Sequence, residues 1–188
     1  MRIDDATRQR LHDVVASALV EAGLEHDSPH TGAFAVTLPG EHKLQTLCWL
    51  VVGQEAVLVE AFVMRRPDEN HDRLHEYLLH RNRRMYGVAF CLDRVGDVYL
   101  VGRFGPDAVT ADEVDRWLGS VLEYADGWFD AMVQIGFATS IRKEWEWRTS
   151  RGESTRNLQA YARFAEPPPG AQGRDPVPAA DAPGDGGA

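Results

Sequence analysis

The sequence predicts an α+β domain: a mainly antiparallel five-stranded sheet with flanking helices, in the order α-β-β-β-α-β-β-α. Three observations carry this reading. Strand-like apolar runs recur at Phe34–Leu38, where Phe34, Val36 and Leu38 alternate, and at Thr46–Val52 and Val57–Met64. The links between them, Pro39-Gly40 and Gly53-Gln54, have turn chemistry and hairpin length. Apolar stripes at helical spacing precede, interrupt and follow the strands, as helices packed against a sheet require.

The first helix carries Leu11, Val14, Val15, Ala18, Leu19 and Ala22 on one stripe, with Asp4 or Asp5 placed to cap it and Gly23 placed to stop it. The three strand runs follow. Pro67 and Asp68 then open a second helix whose stripe is Leu74, Leu78 and Met85. Two further strands read Val88–Leu92 and Val98–Val101, joined through Gly96-Asp97. Thr110 and Glu113 form a capping box for one long helix. Its stripe runs from Val114 through Trp117, Leu118, Val121, Ala125, Trp128 and Phe129 to Met132, and it stops near Gly136. A short helix through Trp145 is expected after it.

These elements place the α+β domain at residues 1–153, with a docking helix over 154–165 carrying Leu158, Tyr161 and Phe164. Residues 166–188 hold six of the ten prolines and no large apolar residue except Val177, which predicts a disordered tail. The chain has 20 basic and 29 acidic residues, a formal charge of −9. Without the tail the counts are 19 and 25, so the body itself is acidic. That balance argues against nucleic acid as a partner, since such affinity comes from Lys and Arg on phosphates. Cys48 and Cys91 sit in apolar runs and make no disulfide framework. The Met1–Asp5 start has no apolar signal core, and no run reaches membrane-span length. The expectation is a soluble, cytoplasmic protein with no membrane partner.

Catalytic signatures are weak, and the reading is of a protein that is not an enzyme and carries no cofactor. His71 and His75, at i and i+4, share a helix face as a zinc site needs, with Asp72 in the general-base position. Aspartate is a methylene shorter than the usual glutamate, and no third ligand follows. A metal-dependent enzyme or regulator using this pair is the alternative reading. No G-x-G-x-x-G, P-loop or G-x-S-x-G is present, and Gly102-Arg103-Phe104-Gly105 reads as a strand exit. Glu60 interrupts the apolar run from Val57 to Val63, and Arg81 falls within the second helix's stripe. A structural ion pair between Glu60 and Arg81 is therefore expected, against an edge position where Glu60 is wet.

The second and third runs are apolar on both faces. Cys48, Leu50 and Val52 oppose Leu47, Trp49 and Val51; Val57, Val59, Ala61 and Val63 oppose Leu58, Phe62 and Met64 around Glu60. A sheet with one wet face alternates apolar with polar, so something must cover the second face. A helix of the same chain, a second subunit or a client polypeptide would each do. Trp49, Phe62 and Met64, with Trp145 and Trp147, are the candidate protein-interaction residues.

Several segments resemble the YbjN family, in an actinobacterial form. They are Trp49-Leu50-Val51-Val52-Gly53, Val59-Glu60-Ala61-Phe62-Val63 and Arg65-Arg66-Pro67-Asp68-Glu69-Asn70-His71. Arg81-Asn82, Tyr86-Gly87-Val88-Ala89-Phe90 and Gly96-Asp97-Val98-Tyr99-Leu100-Val101-Gly102 follow. The resemblance runs from the first helix to about Glu153. It implies a fold similar to that of type III secretion chaperones, which are acidic homodimers holding a partly unfolded partner along apolar patches. It also implies a stress or sensory-transduction regulator with no catalytic residues, and it does not include His75 or His80. The expectation is thus a non-enzymatic, chaperone-like interaction module: a homodimer with a possible polypeptide client.

Overall fold

The computed structural model describes residues 2–165, and the tail expected at 166–188 lies outside the described residues. The chain divides into two compact units, Met1–Ser140 and Ile141–Ala188.

In the first unit, α1 spans Asp5–Glu21, β1 His26–His30, β2 Ala33–Pro39, β3 Gln45–Val52 and β4 Val57–Met64. Then come α2 at His71–Asn82, β5 at Ala89–Leu92, β6 at Val98–Phe104, α3 at Ala111–Gly127 and α4 at Phe129–Gly136. The strands form one antiparallel sheet in the order β1-β2-β3-β4-β6-β5. The sheet has six strands, one more than expected. The additional strand, β1, is His-Asp-Ser-Pro-His, nearly all exposed and without apolar alternation. An edge strand with no buried face leaves no period-two signal to read.

Helix boundaries follow local chemistry. The Asp4 carboxylate accepts the Thr7 N–H at 2.8 Å, and Thr110 Oγ1 accepts the Glu113 N–H at 3.2 Å, each satisfying an otherwise orphaned donor. The long helix expected from Thr110 to Gly136 is two helices. The chain breaks at Trp128 (φ −107°, ψ 4°), between α3 and α4, and the apolar stripe continues across the break. Periodicity alone cannot show a break that preserves the buried side.

The inner sheet face is the core. Val57, Val59, Ala61 and Val63 of β4 are at most 1% exposed, as are Phe34 and Val36 of β2 and Cys48 and Leu50 of β3. Helices α1 and α3 cover them, with Leu11, Val15 and Leu19 from the first and Val114, Trp117 and Val121 from the second. Each such aliphatic side chain contributes about 1.5–3 kcal/mol relative to exposure. Helix α2 packs Leu74 and Leu78 beside α4 and β5. No helix among the described residues is long and apolar enough to cross a membrane.

The second unit is described by itself. Helix α5 (Ala138–Arg151) begins at the end of the first unit and runs into the second; a 3-10 segment at Arg156–Tyr161 and the short α6 at Ala162–Ala165 follow. The 154–165 segment is thus a 3-10 stretch followed by one short helical turn rather than one continuous helix.

Candidate functional site

Among the described residues of the first unit, no helix lies over the outer sheet face. Strand register arranges that face in rows. Thr37 of β2 stands opposite Leu47 of β3, and Phe62 of β4 stands opposite Tyr99 of β6, which faces Cys91 of β5. In the adjoining row Ala35, Trp49, Glu60, Val101 and Ala89 are successive partners. Beyond it lie Val51, Leu58 and Arg103. Leu47 is 45% exposed, Phe62 40% and Trp49 36%. Phe62 and Tyr99 meet edge to face, with centroids 5.4 Å apart. An apolar face this continuous, left wet, is the usual mark of an interaction surface.

Its border is fixed by a buried anchor. The carboxylate of Asp126, near the end of α3, accepts backbone N–H groups from Glu41, His42 and Lys43 at 3.1, 2.9 and 2.7 Å. Burial opposes ionisation of Asp126, but the bonds from Lys43, Glu41 and His42 outweigh it and hold its pKa below the usual carboxylate range. Gly40 permits this turn, because a Cβ there would lie 2.3 Å from both Asp126 Oδ1 and the Lys43 carbonyl oxygen. The turn delivers the Lys43 ammonium to the Phe62 carbonyl oxygen and over the Phe62 ring, 5.4 Å from its centroid. Burial pushes the Lys43 pKa down to about 8, against the opposing pull of Asp126.

The segment Arg65–His71 has structural work. Arg65 makes two bonds to Asp68, at 2.6 and 2.9 Å, and its guanidinium lies over the Phe137 ring. Glu69 accepts the Thr139 N–H at 2.6 Å, and Asn70 donates to the Ile135 carbonyl oxygen. The Asp68 and Glu69 N–H groups both reach the carbonyl oxygen of Gly136, where a Cβ would strike Pro67 at 2.8 Å. The string thus binds the last carbonyls of α4. Asn70, with φ +52°, ends in the left-handed region, so α2 starts at His71 rather than at Pro67-Asp68.

The expected site residues separate under this geometry. Trp49 and Phe62 stand on the outer face, on adjacent strands and in adjoining rows. Met64 does not join them. A β-bulge between Phe62 and Met64 shifts the register so that Met64 pairs with Val98, and Met64 is 4% exposed on the core side. Trp145 and Trp147 lie on α5 in the second unit, about 200° apart around that helix, so they do not form one patch. Trp147 is exposed under the Arg151 guanidinium.

Glu60 and Arg81 are not brought together. Arg81 lies over the rings of Tyr77 and Trp128, and Trp128 in turn packs by the inward-facing Phe90. Glu60 partners Val101, on the outer side. The sheet separates the two, and cation–π contacts take the place of the expected ion pair. His71 and His75 lie with ring centroids 6.4 Å apart on the first turns of α2. Among the described residues no group of three or more His, Cys, Asp or Glu is arranged to hold a metal ion.

Sequence reasoning missed Tyr99, Val101 and Lys43 as parts of the face. The alternation Val98-Tyr99-Leu100-Val101 held the signal for the first two. Lys43 had none, since its place depends on a carboxylate 83 residues away.

Residues 11–134 match a family described as "Putative bacterial sensory transduction regulator", YbjN. The chain belongs to the YbjN family. Uncharacterized proteins of Mycobacterium tuberculosis and Mycobacterium bovis are each 52% identical over 156 residues, 80% of this chain and 85% of theirs. One from Mycobacterium leprae is 52% identical over 131 residues, 70% of this chain and 71% of its own. Among solved structures, a chain of the HopA1-SchA chaperone-effector complex superposes with a TM-score of 0.52 at 13% identity, covering 68% of this chain and 98% of that one. A chain of the Yersinia pestis type III secretion chaperone SycH in complex with a fragment of YscM2 gives 0.47 at 16% identity, covering 61% and 96%. The YbjN domain here therefore has a type III secretion chaperone-like α+β fold.

Proposed function

We propose that this YbjN protein is a non-catalytic, chaperone-like module that holds a polypeptide client on the outer face of its sheet and works as a homodimer in a regulatory role. The observation that carries the reading is the wet apolar face around Trp49 and Phe62, opposite a core already complete. The likeness to a chaperone-effector complex supports the fold on which such a face is built. Further exposed apolar side chains lie off this face, among them Leu79 on α2 and Leu92 and Val95 at the end of β5, and these support self-association. The regulatory role rests on the family's description alone.

The test is binding of a permanently unfolded polypeptide, such as a reduced and carboxymethylated globular protein, to the full chain. The wild type binds, and Phe62→Asp loses binding by at least about tenfold while its unfolding midpoint stays within a few degrees, because it places a charge in the contact and not in the core. Equal binding by both proteins overturns the reading.

A further inference from the structure

Any polypeptide that covers the outer face takes Glu60 out of water, and among the described residues no cation is paired with its carboxylate. Glu60 lies on the central strand β4, between Leu58 and Phe62 along the strand and between Trp49 and Val101 across the ladders. It is half-buried already. Among the described residues its carboxylate forms no hydrogen bond and no ion pair; Arg103 lines the same shallow recess without pairing with it. A carboxylate sealed under apolar side chains without a cation loses its hydration with no return.

Resting on the reading of this face as a protein-binding surface, we propose that its occupant is an extended segment carrying one lysine or arginine between apolar side chains, the cation seated on Glu60. The surroundings suit that chemistry. Trp49 beside Glu60 in its row presents an aromatic ring, which attracts a cation as it covers its stem, whereas the Phe62 ring already lies under Lys43. The body's excess of acidic residues draws basic segments toward it.

The sheet's edges direct the occupant onto the face rather than alongside it. At β5 the Asn82 side chain accepts the Phe90 N–H at 2.8 Å and donates to the Phe90 carbonyl oxygen at 3.2 Å, taking both groups an added strand would use. At the other edge β1 contains Pro29 and an irregular register between Asp27 and His30. Both are devices that discourage strand addition. A second copy fits the face less well, since a two-fold axis through the middle of the sheet brings two Glu60 carboxylates together.

The test selects a phage-displayed library of random nine-residue peptides on the full chain and on its Glu60→Lys and Phe62→Asp variants. Wild-type protein is expected to enrich peptides with Lys or Arg flanked by apolar residues, and Glu60→Lys to enrich Asp or Glu at that position. With a selected peptide, Glu60→Gln, which keeps the shape, weakens binding about tenfold. Apolar peptides without a basic preference, or a basic preference that survives Glu60→Lys, overturn the proposal and leave the face as a binding surface. No selected peptide, or equal binding to Phe62→Asp, overturns both. A dimer that Glu60→Lys dissociates and added Arg103→Glu restores assigns the face to a second copy and overturns the proposal as well.

Discussion

Asp126→Ala removes the acceptor of three backbone N–H groups in the turn between β2 and β3, and its cost can be worked from those bonds. Bonds to an ionised group contribute about 1.5–3 kcal/mol each, but three on one carboxylate are not additive, and water replaces part of what is lost. A destabilisation of about 3 kcal/mol follows, which for a chain of this size lowers the melting temperature by roughly 6–12 °C. The pH dependence has a definite sign. The folded-state pKa of Asp126 lies below its ordinary value of 3.8, so its contribution is complete above that pH and is lost as pH falls through the folded value. The gap between wild type and Asp126→Ala is therefore constant near neutrality and closes in acid. Urea denaturation at pH 7 and at pH 3 measures both. A gap under about 0.5 kcal/mol at pH 7, or one that widens in acid, refutes the argument that this carboxylate anchors the turn.

Three other outcomes follow from the same structure. Glu69→Ala should destabilise by about 1–2 kcal/mol in urea, since the Thr139 N–H loses its acceptor; an unchanged midpoint would remove the structural role given to the Arg65–His71 string. Lys43 should acylate in an amine-labelling titration with a midpoint near pH 8, read by mass spectrometry against Lys143. Its folded pKa lies below the ordinary 10.5, so its contribution turns toward folding as pH rises from about 8 to 10.5. Sedimentation over a range of concentrations should show a species of twice 21.0 kDa, which Leu79→Glu shifts toward monomer; a monomer at all concentrations contradicts the homodimer.

The fold was legible where burial wrote a period into the sequence. Phe34, Val36 and Leu38 fall on the core face, as their alternation requires, and Asp4, Thr110 and Gly23 mark helix ends as capping chemistry requires. Strand β1 was illegible because no side chain of it is buried. The doubly apolar strands revealed the outer face, and among the described residues of the first unit no helix covers it. Met64 was misplaced because one bulge reverses every residue beyond it, and a bulge leaves no mark in an apolar run. Glu60 and Arg81 were matched by charge and by their places within apolar patterns, while the sheet between them decided the outcome. The anchors at Asp126 and Asn82 join residues distant in the chain or bond backbone groups, and neither kind of contact has a sequence pattern.

The two cysteines allow the central claim to be tested without mutation. Cys91 is exposed on the outer face opposite Tyr99, whereas Cys48 is buried, its thiol pushed up to about 12 by burial. Alkylation of the full chain by a maleimide at pH 8, followed by peptide mass spectrometry, should modify Cys91 and spare Cys48. With a saturating unfolded polypeptide bound, Cys91 should be protected by about tenfold or more, because the client lies across the face that holds it. Cys91 labelled at the same rate with the client bound would contradict the account, placing the client elsewhere on the protein.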